Sequence, residues 1–141
     1  MKLTTKGRYA VMAMADLASY QNGKPVSLID ISLRQNISLA YLEQLFSKLK
    51  NEKLVKSVRG ASGGYVLEKN PKDIKISNII FAVDEQVKTL NCKRESKKGC
   101  NGRTTKCITH NLWDELEQHI NNFFDNVSLN DLLKQKHIDI N

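Results

Sequence analysis

The sequence predicts a mainly α-helical fold with one small β-hairpin. Three segments in its first half repeat apolar side chains at intervals of three and four residues, the spacing of an amphipathic helix. Two short extended segments follow, separated by a run that holds three glycines in six residues, which is typical of a hairpin. A fourth, longer apolar stripe near the C-terminus predicts one long helix.

The first half of the chain predicts three consecutive helices. The first covers residues 4–21, and glycine and proline end it shortly afterwards. Ser27 has an acidic residue three positions later, which predicts the start of a short second helix that runs to about residue 35. Ser38 caps a third helix, whose apolar side chains share one face that we expect to be buried: Leu39, Leu42, Leu45, Phe46 and Leu49.

The pattern then changes from helical to extended. Residues 54–58 and 65–67 flank the glycine-rich run of residues 59–64 and predict the two strands of the hairpin. A short helix over residues 76–85 follows. Helix, short helix, tight turn, helix and hairpin is the order of elements in a winged helix-turn-helix. The sequence therefore predicts such a domain over residues 1–88.

The last segment predicts a long helix from about Ile108 to Asn126 and a short final helix that begins at Ser128. Nothing else in the chain is obviously large enough to cover the apolar stripe of the long helix. We expect the stripe to pair with the same helix of a second subunit, and packing within the chain is the alternative. Residues 89–107 are thus a cysteine-rich loop between the domain and a dimerisation region, 108–141. The stripe consists of Ile108, Leu112, Leu116, Ile120, Phe123, Phe124 and Val127.

Charge is unevenly distributed along the chain, whose formal net charge is +7. Residues 1–67 hold ten lysines and arginines against four acidic residues, and residues 93–106 hold six against one. A basic front half favours an anionic partner such as double-stranded DNA. The early apolar run is too short for a signal peptide, and no segment approaches the roughly 20 apolar residues of a membrane span. We therefore expect a cytoplasmic protein that does not bind membranes.

The third helix and the hairpin carry the side chains that we expect to contact DNA. The third helix of a helix-turn-helix enters the major groove, and its first turns face base edges. Gln44 is suited to adenine and Glu43 to cytosine, whereas Arg59 beside the glycines is suited to the narrow minor groove. A winged helix that binds protein is the alternative. The predicted DNA-binding set is Ser38, Ala40, Tyr41, Glu43, Gln44, Lys48, Arg59 and Gly60.

All three cysteines lie in the stretch CKRESKKGCNGRTTKCITH, residues 92–110. Seven residues separate Cys92 from Cys100, six separate Cys100 from Cys107, and two separate Cys107 from His110. Three thiolates and an imidazole can form a tetrahedral zinc site or hold an iron–sulfur cluster. Free thiol sensors and a peroxide-driven disulfide switch are alternatives. No orienting acid or pocket motif accompanies Cys107 and His110, so we do not expect an enzyme or a small-molecule substrate.

Several segments together resemble the IscR-type iron–sulfur cluster-responsive transcription regulators: MKLTTKGRYAVMAMADLA, ISLAYLEQLFSKLK, SVRGASGGYVL, AVDE and the Cys…Cys…CITHNLW pattern. The resemblance runs from Met1 to about Leu133. It implies a homodimer that binds a palindromic promoter operator through its winged helix-turn-helix and mainly represses the genes of iron–sulfur cluster assembly. Glu43, Gln44 and Arg59 match positions implicated in DNA recognition in that family.

The resemblance also implies a ligand set. A [2Fe-2S] cluster would be held by Cys92, Cys100, Cys107 and His110. The first two gaps between these residues are longer than is usual in the family, and residue 40 is alanine where a hydroxyl residue is common. A sister group senses nitric oxide with a [4Fe-4S] cluster and an acidic ligand near the N-terminus, but residue 8 is Arg here. A redox- or nitric-oxide-sensing regulator of the same fold, or a zinc-binding one, is the alternative.

Overall fold

A computed structural model describes residues 5–83 and 108–135 of the protein, and within them the predicted order of elements is confirmed. The domain boundary predicted at residues 88/89 lies outside these ranges, and the one predicted at 107/108 lies at the start of the second range. The elements are α1 (Thr5–Tyr20), α2 (Leu28–Gln35), α3 (Leu39–Asn51), β1 (Val55–Val58), β2 (Gly64–Leu67), a short 3-10 helix (Pro71–Asp73), α4 (Ile76–Ala82), α5 (His110–Asn126) and α6 (Leu129–Gln135).

Both predicted serine caps in the first half are confirmed. The Ser27 hydroxyl accepts a hydrogen bond from the Asp30 N–H at 3.1 Å, and the Ser38 hydroxyl accepts one from the Tyr41 N–H at 3.3 Å. Asn36 ends α2 in the left-handed conformation, with a φ of 54°. Only three residues therefore separate α2 from α3, which produces the tight turn of a helix-turn-helix.

The core forms around α1, which packs against α2, α3, α4, α6 and β2. Its buried positions include Ala10 and Ala13, whose small side chains let the neighbouring elements approach closely. Four of the five apolar positions predicted for α3 are buried in this core. The prediction for Leu39 was wrong: as the first residue of α3 it lies at the edge of the core and is exposed.

The hairpin is attached to the helices through a backbone bridge that the sequence pattern did not reveal. β1 and β2 pair antiparallel, from Val55 opposite Leu67 to Val58 opposite Gly64. Val26, in the loop between α1 and α2, extends this pairing beyond β2. Its N–H donates to the Tyr65 carbonyl at 2.9 Å, and the Tyr65 N–H donates back to the Val26 carbonyl at 2.8 Å.

The C-terminal helices return to the same core. α5 begins at His110, two residues later than predicted, and packs against α4, while α6 packs against α1. The Ile76 N–H donates to the Val127 carbonyl at 2.9 Å, and the Leu129 N–H donates to the Ile74 carbonyl at 2.8 Å. These two bonds join the connection between α5 and α6 to the start of α4. None of the helices in the described ranges has both the length and the apolar character that crossing a membrane requires.

The predicted start of the last helix at Ser128 is confirmed. The Ser128 hydroxyl accepts a hydrogen bond from the Asp131 N–H at 3.1 Å, and the Ser128 N–H donates to the Asp131 carboxylate at 2.9 Å. This reciprocal pair is a capping box. The hydrogen bond from the Ser128 backbone lowers the pKa of Asp131, because it favours the ionised carboxylate.

Candidate nucleic-acid interface

The first two turns of α3 present an exposed polar face away from the core. Ala40, Glu43 and Gln44 are exposed, and Ser38 is exposed at the helix cap. Helical spacing puts residues 40, 43 and 44 on one side of the helix, because positions three and four apart are neighbours. Leu42 points the opposite way, into the core. A carboxylate and an amide therefore stand together on the face that a recognition helix turns toward base edges.

Tyr41 and Lys48, also predicted to contact DNA, are only partly exposed. The Tyr41 ring packs edge-on against the Tyr9 ring of α1, with 5.9 Å between ring centroids and 84° between ring planes. This contact attaches the first turn of α3 to α1. Tyr41 thus has a packing role that the sequence pattern did not show.

The turn of the hairpin exposes Arg59 and Gly60. Gly60 has a φ of 123°, in the region that glycine tolerates and other residues rarely adopt. The Gly63 N–H donates to the Gly60 carbonyl at 3.0 Å and closes the turn. The hairpin therefore carries one arginine side chain beside a tight backbone loop, and the backbone bridge between Val26 and Tyr65 attaches the hairpin to the helices near this same end.

A side-chain contact joins the third helix to the hairpin. The Lys50 ammonium, near the end of α3, donates a hydrogen bond to the Ser57 hydroxyl of β1 at 2.9 Å. This exposed bond links the last turn of α3 to the first strand of the hairpin. Lys53 and Lys56 are exposed nearby in the sequence and extend the basic edge.

An ion pair between a buried carboxylate and a partly exposed guanidinium supports the helix-turn-helix, and the sequence pattern missed it. Asp16 of α1 follows an apolar run of the sequence, and its side chain is fully buried. Arg34 donates to both Asp16 carboxylate oxygens, at 2.9 and 2.7 Å, and the Gln35 amide donates to one of them at 2.8 Å. The hydrogen bond to Asp16 raises the pKa of Arg34. The guanidinium also stacks over the Tyr20 ring, 3.8 Å from its centroid.

Of the four predicted metal ligands, the structure places only His110. Cys92, Cys100 and Cys107 lie outside the described residues. His110 is the first residue of α5 and is 6% exposed. Within residues 5–83 and 108–135, no three potential metal-ligating side chains lie together. A buried imidazole three positions after Cys107 fits the chemistry of a donor set with three thiolates, for an iron–sulfur cluster or for zinc.

The start of α5, where His110 lies, has its own restraint. The Trp113 indole N–H donates to the Thr109 hydroxyl at 3.1 Å, and the Trp113 backbone N–H donates to the Thr109 carbonyl at 3.2 Å. Both bonds close the first turn of the helix around His110. The backbone at His110 therefore belongs to a regular helical turn.

Comparison with known proteins identifies relatives along almost the whole chain. The family model Rrf2, described as an iron-dependent transcriptional regulator, matches residues 3–135. The HTH-type transcriptional regulator IscR of Aliivibrio salmonicida is 53% identical over 133 residues, which cover 94% of this chain and 77% of that protein. The IscR of Yersinia pestis is 49% identical over 138 residues, covering 98% of this chain and 82% of that protein.

Solved structures show the same fold. The chain is 38% identical to T. potens IscR, with a TM-score of 0.77 over 97% of this chain and 89% of that one. It is 34% identical to CymR, the global cysteine regulator of B. subtilis, with a TM-score of 0.79 over 95% of this chain and 97% of that one. These relatives are named as transcriptional regulators and not as enzymes, in agreement with the expectation from the sequence. The match of residues 3–135 to one family model and these identities over nearly the full chain show that the protein belongs to the Rrf2 family of transcriptional regulators.

Proposed function

We propose that this transcriptional regulator binds a palindromic operator as a homodimer, senses iron–sulfur cluster status through a [2Fe-2S] cluster, and represses the genes of cluster assembly. The observation that carries the DNA-binding part is the exposed pair Glu43 and Gln44 on α3, together with Arg59 on the hairpin. The first two suit base edges in the major groove, and Arg59 suits the adjacent minor groove. The Lys50–Ser57 hydrogen bond supports simultaneous binding of both grooves, since it joins α3 to the hairpin.

The exposed part of the stripe supports the homodimer, whereas Phe124 and Val127 pack against the core of the same chain. Leu112 is 57% exposed and Phe123 is 63% exposed, although both are large and apolar. A helix that leaves such side chains in water is expected to bury them against a partner. A two-fold dimer presents two copies of α3, which explains why a palindromic operator is the expected target.

The proposed ligands of the cluster are Cys92, Cys100, Cys107 and His110. When bound, the cluster would make the protein responsive to cluster supply and to oxidants. Since His110 begins α5, a change in its position is passed along a rigid helix to the backbone bridge between Val127 and Ile76. α4 packs on α1, and α1 contacts the first turn of α3. Coupling of roughly 1–3 kcal/mol along this path would change operator affinity about 5- to 150-fold.

Anaerobic purification tests the cofactor. We expect a coloured protein whose visible spectrum, iron content and sulfide content indicate a [2Fe-2S] cluster. Replacing each of Cys92, Cys100, Cys107 and His110 by alanine should lower the retained iron and sulfide. His119→Ala is the matched control, because His119 is exposed on the same helix. A colourless protein with stoichiometric zinc would contradict the cluster and support the zinc-binding alternative. Full retention of iron and sulfide in Cys100→Ala would remove Cys100 from the ligand set.

Arg59→Ala tests the hairpin. We expect a loss of operator affinity of about 1–3 kcal/mol, roughly 5- to 150-fold, because a guanidinium in the narrow minor groove is lost. Fluorescence anisotropy at one fixed salt concentration measures it. Lys72→Ala removes the same charge from an exposed position in the 3-10 helix and is the control. Equal affinities of the two variants would exclude a specific role for Arg59.

A further inference from the structure

The buried Asp16 carboxylate has no part in the function proposed above, although both of its oxygens accept hydrogen bonds from α2. Its side chain is fully buried, whereas that of Arg34 is 30% exposed. It accepts three hydrogen bonds, and all three come from Arg34 and Gln35, the last two residues of α2. Those residues immediately precede the tight turn that leads into α3.

We propose that Asp16 is a positioning residue for DNA recognition: by binding Arg34 and Gln35 it sets the direction in which α3 presents Glu43 and Gln44. This inference rests on the proposed DNA-binding function. The turn between α2 and α3 is short, so the orientation of one end determines that of the other. A residue that fixes the end of α2 therefore also fixes the start of α3.

The turn is held at two points on α1. Asp16 binds the end of α2, and Tyr9 packs against Tyr41 in the first turn of α3. Asp16 lies seven positions after Tyr9 on the helix, a distance of roughly 10 Å. Two contacts this far apart on one rigid helix prevent the turn between α2 and α3 from rotating relative to α1, whereas a single contact would permit that rotation. Within the turn, the Ser32 hydroxyl donates to the Ile37 carbonyl at 2.6 Å and adds local rigidity.

The chemistry of the Asp16 contact suits orientation better than stability. A two-pronged Arg–carboxylate pair has one favourable geometry, whereas an apolar contact of similar size tolerates sliding. Buried ion pairs are often replaced by apolar residues with no loss of stability. A charged pair at this position is therefore explained by the fixed direction that it imposes on the turn.

Two variants separate orientation from folding. Asp16→Asn keeps the shape of the side chain but weakens the pair with Arg34. The double variant Asp16→Leu/Arg34→Met replaces the pair by apolar side chains and is expected to keep the melting temperature near that of the wild type. Asp73→Asn, an exposed position outside the helix-turn-helix, is the control because it also removes one negative charge.

The measurement is the ratio of affinities for two DNA duplexes at fixed salt. One duplex is selected from a random library by the wild-type protein, and the other is the same duplex with its sequence scrambled. For both Asp16 variants we expect affinity for the selected duplex to fall at least about tenfold, the effect of one lost base contact. In Asp16→Asn, affinity for the scrambled duplex should stay constant or rise, because losing a negative charge favours phosphate binding.

The outcomes separate this inference from the function on which it rests. A wild-type protein that binds both duplexes equally overturns the proposed operator recognition, and the role of Asp16 with it. If the wild type discriminates and the folded double variant discriminates equally well, Asp16 has no positioning role. Equal losses of affinity for both duplexes, together with a lower melting temperature, would assign Asp16 to stability alone and also overturn the proposal.

Discussion

A variant with Leu112→Lys and Leu116→Lys is expected to be a monomer at micromolar concentration and to bind operator DNA at least about 100-fold more weakly. Both leucines lie exposed on the stripe of α5. In the proposed dimer, each lysine would place a charge in an apolar contact, where burying it is costly. Without the second subunit the two recognition helices no longer bind as a linked pair, and the gain in affinity from linkage, about 10²–10⁴-fold, is lost.

Sedimentation and anisotropy measure the two parts of this prediction separately. Leu33→Lys is the matched control, because Leu33 is 77% exposed on α2 and lies outside the stripe. It introduces the same kind of change without affecting α5, so it should remain dimeric and keep its operator affinity. A double variant of α5 that sediments as a dimer would place the subunit contact elsewhere.

Gly64→Ala is expected to lower the stability of the folded domain strongly. A Cβ atom at Gly64 would clash with the Val26 carbonyl group and crowd the Ser27 N–H, both of which belong to rigid backbone. The Val26–Tyr65 bridge would have to open, with the loss of two backbone hydrogen bonds. Overpacking and these losses together amount to about 3 kcal/mol of unfolding free energy, which corresponds to a melting temperature about 10 °C lower.

Gly23→Ala distinguishes the clash from conformational strain. Gly23 has a φ of 73° but nothing within 4 Å of its added Cβ, so only strain of about 1 kcal/mol is expected there. Thermal unfolding followed by circular dichroism compares the two variants. A Gly64→Ala protein as stable as Gly23→Ala would show that the loop at Val26 moves away at little cost.

The elements that could be predicted from sequence are those with local causes. Ser27, Ser38 and Ser128 each begin a helix where predicted, since a serine cap binds a backbone N–H within three residues. The apolar spacing of α3 located its buried face, apart from Leu39 at the very start. The glycine-rich run located the hairpin, although Gly64 is required by the close approach of Val26, which no local pattern contains.

In the candidate site, too, the features with local causes could be predicted, and the contacts between distant elements could not. Charge and helix spacing predicted that Glu43, Gln44 and Arg59 would be exposed, and the structure places them so. The Lys50–Ser57 and Asp16–Arg34 contacts were missed, because each joins elements whose relative position depends on how the whole chain packs. The sequence did contain one signal for the second contact: an aspartate lies within an apolar helix face, and an arginine lies at the end of the next helix.

The sequence by itself determined which segments become helices and strands, where the serine-capped helices begin, and where apolar side chains recur along each helix. These properties follow from contacts within a few residues along the chain. Only the tertiary structure decided how α3, the hairpin and α5 are oriented relative to one another. That arrangement depends on the Val26–Tyr65 bridge, the bond between Val127 and Ile76, and the Asp16–Arg34 ion pair. Such contacts join residues distant in sequence, and their geometry exists only after the core has formed around α1.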